Sequence, residues 1–327
     1  MLSTEIVLLG ISFMVAIILG ILIIPVLRKL KVGQIEREDG PKSHLKKQGT
    51  PTMGGIIIIL SMIITLTGVY IYQIMKNQAD IANKIIPILV LTIGFGLVGF
   101  IDDFKKLVLK KTDGLKPKYK MLGLLIISIL YVIYLVYGLN NGTQTFIPII
   151  KEYINMPIYI YIPFAIVVIL GTTNAVNLTD GIDGLSSSVC AIIVASLSII
   201  AMQMQIPEVS LFSSSLVGIV LGFLMFNLHP AKVFMGDTGS LLLGGVISAL
   251  ALYLKMPLIL LIIALIPVLE TLSVILQVAY YKKTGNRIFK MAPLHHHYEL
   301  SGWKENKVVI VFSIITFLLC IIGICLV

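Results

Sequence analysis

Ten stretches of nearly unbroken apolar residues succeed one another along the chain, near 5–27, 54–75, 85–101, 121–138, 157–173, 185–204, 210–228, 239–254, 257–280 and 308–327. A helix needs about 20 mostly apolar residues to cross a bilayer, so each run predicts one membrane-spanning helix. The polar residues are left to the nine connections, none of which exceeds a large loop. No soluble domain fits there, and residues 1–327 are expected to form a single integral membrane domain. Only Glu5 carries charge ahead of the first run. Without a basic segment or a small-residue cleavage site, that run predicts a retained helix and not a signal peptide, with the mature chain beginning at Met1.

Composition agrees with this pattern: 57% of the 327 residues are hydrophobic and 13% charged, far from an ordinary soluble domain. The formal charge of +9 would suit nucleic acid, but its distribution argues otherwise. Connections one, three, five, seven and nine hold 21 of the 25 Lys and Arg residues. Lys and Arg favour the cytoplasmic side, so the odd connections are expected there and both termini outside, and no nucleic-acid partner is implied. Cys190, Cys320 and Cys325 all fall inside apolar runs without ligand spacing. They predict small buried residues, not disulfides or a zinc site.

The polar residues hardest to explain by solubility lie in the odd connections. GFGLVGFIDDFKK at 94–106 drives an apolar run into Asp102 and Asp103, and Lys105, Lys106, Lys110, Lys111, Lys116, Lys118 and Lys120 follow. Neighbours on a helix point about 100° apart, so these two acids flank one cation or divide two tasks; a solvated helix end neutralised by lysines is the plain alternative. Connection one carries Lys46 and Lys47 before Gly-Thr-Pro-Thr and a Gly pair, which suits an anion at a helix N-terminus or an ordinary turn. Connection five, residues 174–184, has Asn177, Asp180 and Asp183 and no base. On a helix the two acids would share a face and repel, which calls for a counter-charge from elsewhere.

Connection seven, FNLHPAKVFMGDTGS at 226–240, places Asp237 before Thr-Gly-Ser, as a helix cap or as a metal ligand beside a helix N-terminus. Connection nine holds His295, His296 and His297; consecutive side chains do not form a tetrahedral zinc site, and imidazoles that donate to phosphate or act as a base fit better. Together these oxygen-rich groups and lysines suit Mg²⁺ or Mn²⁺ and phosphoryl transfer, in which positioning and neutralisation of phosphate oxygens dominate. Glu270, inside the ninth run, has no place in this scheme.

GTPTMGG at 49–55, the Asp pair at 102–103, NLTDGIDGL at 177–185, the 226–240 segment and PLHHHYE at 293–299 resemble the motifs of the bacterial phospho-N-acetylmuramoyl-pentapeptide transferases, within the polyprenyl-phosphate N-acetylhexosamine-1-phosphate transferase superfamily. The resemblance implies an all-α polytopic membrane enzyme of ten transmembrane helices with its active site on the cytoplasmic face, in the bacterial cytoplasmic membrane. Its reaction would move phospho-MurNAc-pentapeptide from UDP-MurNAc-pentapeptide to undecaprenyl phosphate, with Mg²⁺ as cofactor, releasing UMP and forming lipid I. Carried over by position, Asp237 is the metal ligand and Asp102 and Asp103 the catalytic pair, with Lys120 and His296 as further catalytic positions. Lys47, Thr52, Asn177, Asp180, Gly181, Ile182, Asp183, Asn227, Phe234, Gln277 and His297 match substrate-binding positions. A homodimer is consistent with the resemblance. The alternatives weighed are a transferase of N-acetylglucosamine-1-phosphate to the same lipid, a secondary transporter, and an intramembrane aspartyl protease, whose Gly-x-Gly-Asp motif lacks its first glycine here.

Overall fold

The computed structural model of the chain describes residues 3–30, 47, 49–107 and 114–327. Lys46, Lys110 and Lys111 lie outside the described residues. Ten of the described helices are long and apolar enough to cross a bilayer. They are α1 (Thr4–Lys29), α2 (Gly55–Met75), α3 (Ala79–Leu107), α4 (Pro117–Ile133, continued by a π turn Tyr134–Gly138), α5 (Ile158–Thr179), α6 (Leu185–Gln203), α7 (Pro207–Asn227), α8 (Gly236–Tyr253), α10 (Leu265–Thr284) and α12 (Glu305–Leu326).

Helices α6, α7 and α8 form the buried centre and are apolar or small-residue on all sides, as expected of helices surrounded by others. Around them α1 packs on α7, α3 and α5 on α8, and α12 on α6, while α4 and α10 lie against this inner layer on α5. Small side chains set the closest crossings. Gly218 and Gly222 of α7 face Ser12, Leu9 and Ala16 of α1 with no space for a Cβ, the kind of contact that replaces hydrophobic driving force between helices in lipid.

Four features differ from the sequence expectation. The ninth run, expected as one helix over 257–280, is broken: a 3₁₀ turn Pro257–Ile259 leads into the short α9 (Leu260–Ile263), and α10 begins only after Ala264. Pro267 has no N–H to offer the Ile263 carbonyl, which instead lies 3.8 Å from the Cys320 Sγ. Helix α3 runs six residues past the expected end of its apolar run, so Asp102 and Asp103 lie within it, buried, and not in a loop. Helix α5 likewise continues to Thr179, which puts Asn177 on a helix. Finally, residues between α4 and α5 form an antiparallel hairpin, β1 (Gln144–Ile147) with β2 (Glu152–Asn155), tied to the far end of the bundle where the Phe146 N–H donates to Lys255 O.

Candidate active site

The site grows from the crossing of α3 and α8. A Cβ on Gly99 would collide with the backbone of Asp237, so only glycine lets α3 pass this close to the start of α8. One turn later Asp103, 5% exposed, reaches the free amides of that start. Its Oδ2 accepts from the Thr238 N–H at 2.9 Å and the Thr238 hydroxyl at 2.6 Å, and its Oδ1 from the Asp237 N–H at 3.2 Å. A carboxylate from a neighbouring helix thus performs the capping that a local side chain ordinarily supplies. Gly236, at φ +74, makes the turn into α8 beneath it.

Asp102, the next residue, points the other way. Its Oδ2 lies 2.7 Å from Lys106 Nζ and 3.5 Å from Lys120 Nζ, and its Oδ1 accepts from the Leu115 N–H at 2.6 Å. Both ammonium groups also reach Asp237 Oδ2, at 2.9 and 3.0 Å, and Asp237 Oδ1 accepts from the Asn177 side chain at 2.8 Å. Asn177 donates as well to Ser240. The adjacent acids therefore divide two tasks: Asp103 builds the helix that carries Asp237, and Asp102 faces Asp237 across two lysines. Lys118 stands apart, its Nζ 5.1 Å over the Tyr119 ring.

Asp180 and Asp183 were expected on one helical face, but the chain leaves the helix between them: Asp180 caps α5 and Gly184 adopts a left-handed conformation before α6. They diverge. Burial first, then the charges of Asp237, Asp103 and Asp183, push Asp180 up to about 8. Asp183 turns to Lys47 (2.7 Å), His229 Nδ1 (3.0 Å) and the Ala231 N–H (3.1 Å). Lys47 also pairs with Glu305 at 2.5 Å, and Glu305 accepts from the Asp183 N–H. Burial opposes ionisation of Asp183, but the Lys47 hydrogen bond and charge outweigh it and hold the carboxyl below its ordinary value. Ligand-type atoms of Asp183, His229 and Glu305 lie within 4.8 Å of one another, and Lys47 is the cation that Asp183 and Glu305 share.

Several positions expected to bind substrate also hold the scaffold. Asn227, 2% exposed, accepts from the Ser187 hydroxyl and donates to Val233 O, which fixes the turn before α8. Phe234 exchanges backbone hydrogen bonds with Pro51 and Gly54 beside the buried Thr52. Gln277 accepts from the Ile288 and Phe289 N–H groups and donates to Phe289 O, folding the chain back along α10. The three histidines lie on a six-residue helix, α11 (Leu294–Glu299). His296 Nδ1 is 3.0 Å from Glu299, His297 Nδ1 accepts from the Lys290 N–H, and His295 is fully buried. Ile182 is buried and Gly181 exposed beside them.

Sequence reasoning missed Lys106, Glu305 and Thr238. Lys106 was one lysine among seven in its connection; only its i,i+4 relation to Asp102 could have marked it. No local signal marks Glu305, which lies 258 residues from its Lys47 partner.

The donor set fits a hard divalent cation. Asp102 and Asp237 meet over two ammonium groups, Lys106 and Lys120. The donors are oxygens, with no thiolate among them, as Mg²⁺ and Mn²⁺ prefer.

The family model described as Glycosyl transferase family 4 matches residues 85–255, and a signature of phospho-N-acetylmuramoyl-pentapeptide-transferase matches residues 47–59. A phospho-N-acetylmuramoyl-pentapeptide-transferase of Clostridium perfringens is 51% identical over 313 residues, covering 96% of this chain and 95% of the relative. Proteins of the same name from Acetivibrio thermocellus and Halalkalibacterium halodurans are each 48% identical, over 95% and 96% of this chain and 92% and 94% of their own lengths. With the matched segments spanning both the α3–α8 crossing and the Lys47 turn, the chain belongs to the phospho-N-acetylmuramoyl-pentapeptide-transferase family.

Proposed function

We propose that this chain moves phospho-MurNAc-pentapeptide from UDP-MurNAc-pentapeptide to undecaprenyl phosphate, with Mg²⁺, at the cytoplasmic end of the bundle. The observation that supports this most directly is the meeting of Asp102 and Asp237 over Lys106 and Lys120, on the end of the bundle whose connections carry 21 of the 25 Lys and Arg residues. That charge bias is the ground for placing both termini outside.

Asp237, with Asp102 beside it, would hold the cation, which supplies charge neutralisation of the diphosphate. The acceptor is a phosphate monoester whose second pKa is near 6, so it is largely dianionic at neutral pH and needs little help from a base. In a direct displacement, one of its oxygens forms a bond to the phosphorus that bears the sugar. The bond from that phosphorus to the UMP oxygen breaks, and UMP departs with its electron pair. Lys106 and Lys120 each reach both carboxylates and are placed to take up charge on the phosphate oxygens. Asp102 positions the acceptor. Asp103, with its acceptor sites taken by the start of α8, acts by positioning Asp237. Lys47 and Asp183 form the polar wall for the donor substrate.

The test follows UMP release by purified protein given undecaprenyl phosphate, Mg²⁺ and either UDP-MurNAc-pentapeptide or UDP-GlcNAc. Release from the muramoyl donor alone, lost in Asp237→Asn and on chelation, is the expected result. Release only from UDP-GlcNAc would retain the chemistry and overturn the substrate. Stoichiometric UMP release without a lipid acceptor would overturn direct displacement in favour of an aspartyl-phosphoryl enzyme.

A further inference from the structure

Glu270 is a carboxylate with no exposure, set in a helix apolar enough to cross a membrane. Burying a carboxylate is costly unless donors surround it, and an ionisable group at such a position points to function. Among the described residues, the polar partners of its side chain belong to His295. The His295 N–H donates to Glu270 Oε1 at 3.2 Å and Oε2 at 3.4 Å, and His295 Nδ1 lies 3.2 Å from Oε1. That N–H is in the first turn of α11, where amides have no partner within the helix.

The His295 ring, also without exposure, is held on three sides. Glu270 faces Nδ1. The His296 ring lies against it with centroids 4.2 Å apart. On the third side a Cβ on Gly181 would collide with Nε2, so the turn carrying Asp180 and Asp183 rests on the ring. Among the described residues neither ring nitrogen completes a hydrogen bond: Nδ1 has the Glu270 carboxylate 3.2 Å away, and Nε2 faces Gly181. An Nδ1 lone pair would face the Glu270 carboxylate at 3.2 Å and be repelled by it, so that proximity favours a proton on Nδ1 and leaves the Nε2 lone pair toward Gly181.

We infer that Glu270 is a positioning residue for the transfer reaction: it caps α11 and holds His295 as the Nδ1–H tautomer, which seats His296 and the 180–183 turn against each other. The inference rests on the function proposed above, but its first test does not. Solid-state ¹⁵N NMR of the full chain in lipid nanodiscs, with ring-labelled histidine, reads the tautomer directly, and His295→Asn assigns the signal by its disappearance. A neutral ring protonated on Nδ1 is expected; a ring protonated on Nε2 alone overturns the inference whatever the enzyme does.

UMP release then tests the coupling. Glu270→Gln should lower kcat about tenfold or more with little change in KM for the UDP donor. The double variant Glu270→Gln, His295→Asn should be no slower than His295→Asn alone, because the carboxylate acts through the ring. Wild-type kcat in Glu270→Gln, or losses that multiply in the double variant, would overturn it. If Glu270→Gln cannot be purified folded, the wild-type tautomer decides. Absence of UMP release by the wild-type protein would count against the proposed function and leave the NMR result standing.

Discussion

Asp103 on α3 accepts three hydrogen bonds from Asp237 and Thr238 at the start of α8, the shortest being 2.6 Å from the Thr238 hydroxyl. One carboxylate of an adjacent pair is thereby spent on placing the other helix, and its neighbour Asp102 is left to face the lysines. Adjacent acids at a helix end need not share a ligand to belong to one site.

Thr238→Val removes the hydroxyl donor while keeping shape and the backbone N–H. A hydrogen bond to a charged group is worth about 1.5–3 kcal/mol, and the variant should unfold at lower temperature by a corresponding amount. Asp103→Ala should be worse, because it orphans the Thr238 hydroxyl and two backbone amides together. Thermal unfolding in detergent checks the order; an Asp103→Ala protein as stable as Thr238→Val would refute the capping role.

Lys106 bridges Asp102 and Asp237, whereas Lys118 lies over Tyr119. Lys106→Met should reduce kcat for UMP release about 10²-fold or more, as expected for loss of a charge aimed at a phosphoryl group. Lys118→Met should stay within about twofold, since surface charges contribute little. Equal losses in the two variants would show that loop charge in general, and not the bridge, drives the rate.

Gly99→Ala forces a methyl onto the Asp237 backbone, and overpacking of this kind costs about 1–3 kcal/mol. Asp237 must shift, so activity should fall further than stability. Gly68→Ala on α2, where nothing lies within 4 Å of the added carbon, is the matched control and should be neutral or slightly stabilising. Unfolding temperature and UMP release measured side by side separate the two effects.

The Lys47–Asp183–Glu305 network sets a pH window. Asp183 is held below its ordinary value of 3.8, so its contribution is present above that unfolded value and is lost as pH falls through the lower folded one. Lys47 is shifted above 10.5: burial opposes this, and its hydrogen bonds to Asp183 and Glu305 prevail. Its contribution is present below 10.5 and is lost as pH rises through the folded value. The stability difference between wild type and Asp183→Asn should therefore be flat from about pH 5 to 9 and shrink below about pH 4. A difference that instead changes through the neutral range would overturn this assignment.

Much of the architecture was legible because membrane helices are written in local composition: ten apolar runs gave ten helices, and Cys190 and Cys320 are buried as expected, whereas Cys325, in the last turn of α12, is exposed. Helix ends were less legible. Asp102 and Asp103 look like the start of a loop because charge normally ends an apolar run, yet α3 continues to Leu107 since Asp103 finds its donors on α8. The break at Ala264 had its cause in view, in Pro267, but a run of Leu and Ile hid it. The hairpin at 144–155 is too short to show a period.

What the sequence alone determined is which residue types crowd the odd connections, and hence that acids, lysines and histidines meet at one end of the bundle. Which acid faces which cation was decided by tertiary structure. The pairs Lys47–Glu305, Asp103–Thr238 and Glu270–His295 join residues that no local period relates. Only the close crossing at Gly99, the turn after α5 and the return of the chain along α10 bring them within reach, because a hydrogen bond acts over about 3 Å and its partners are chosen by how helices pack.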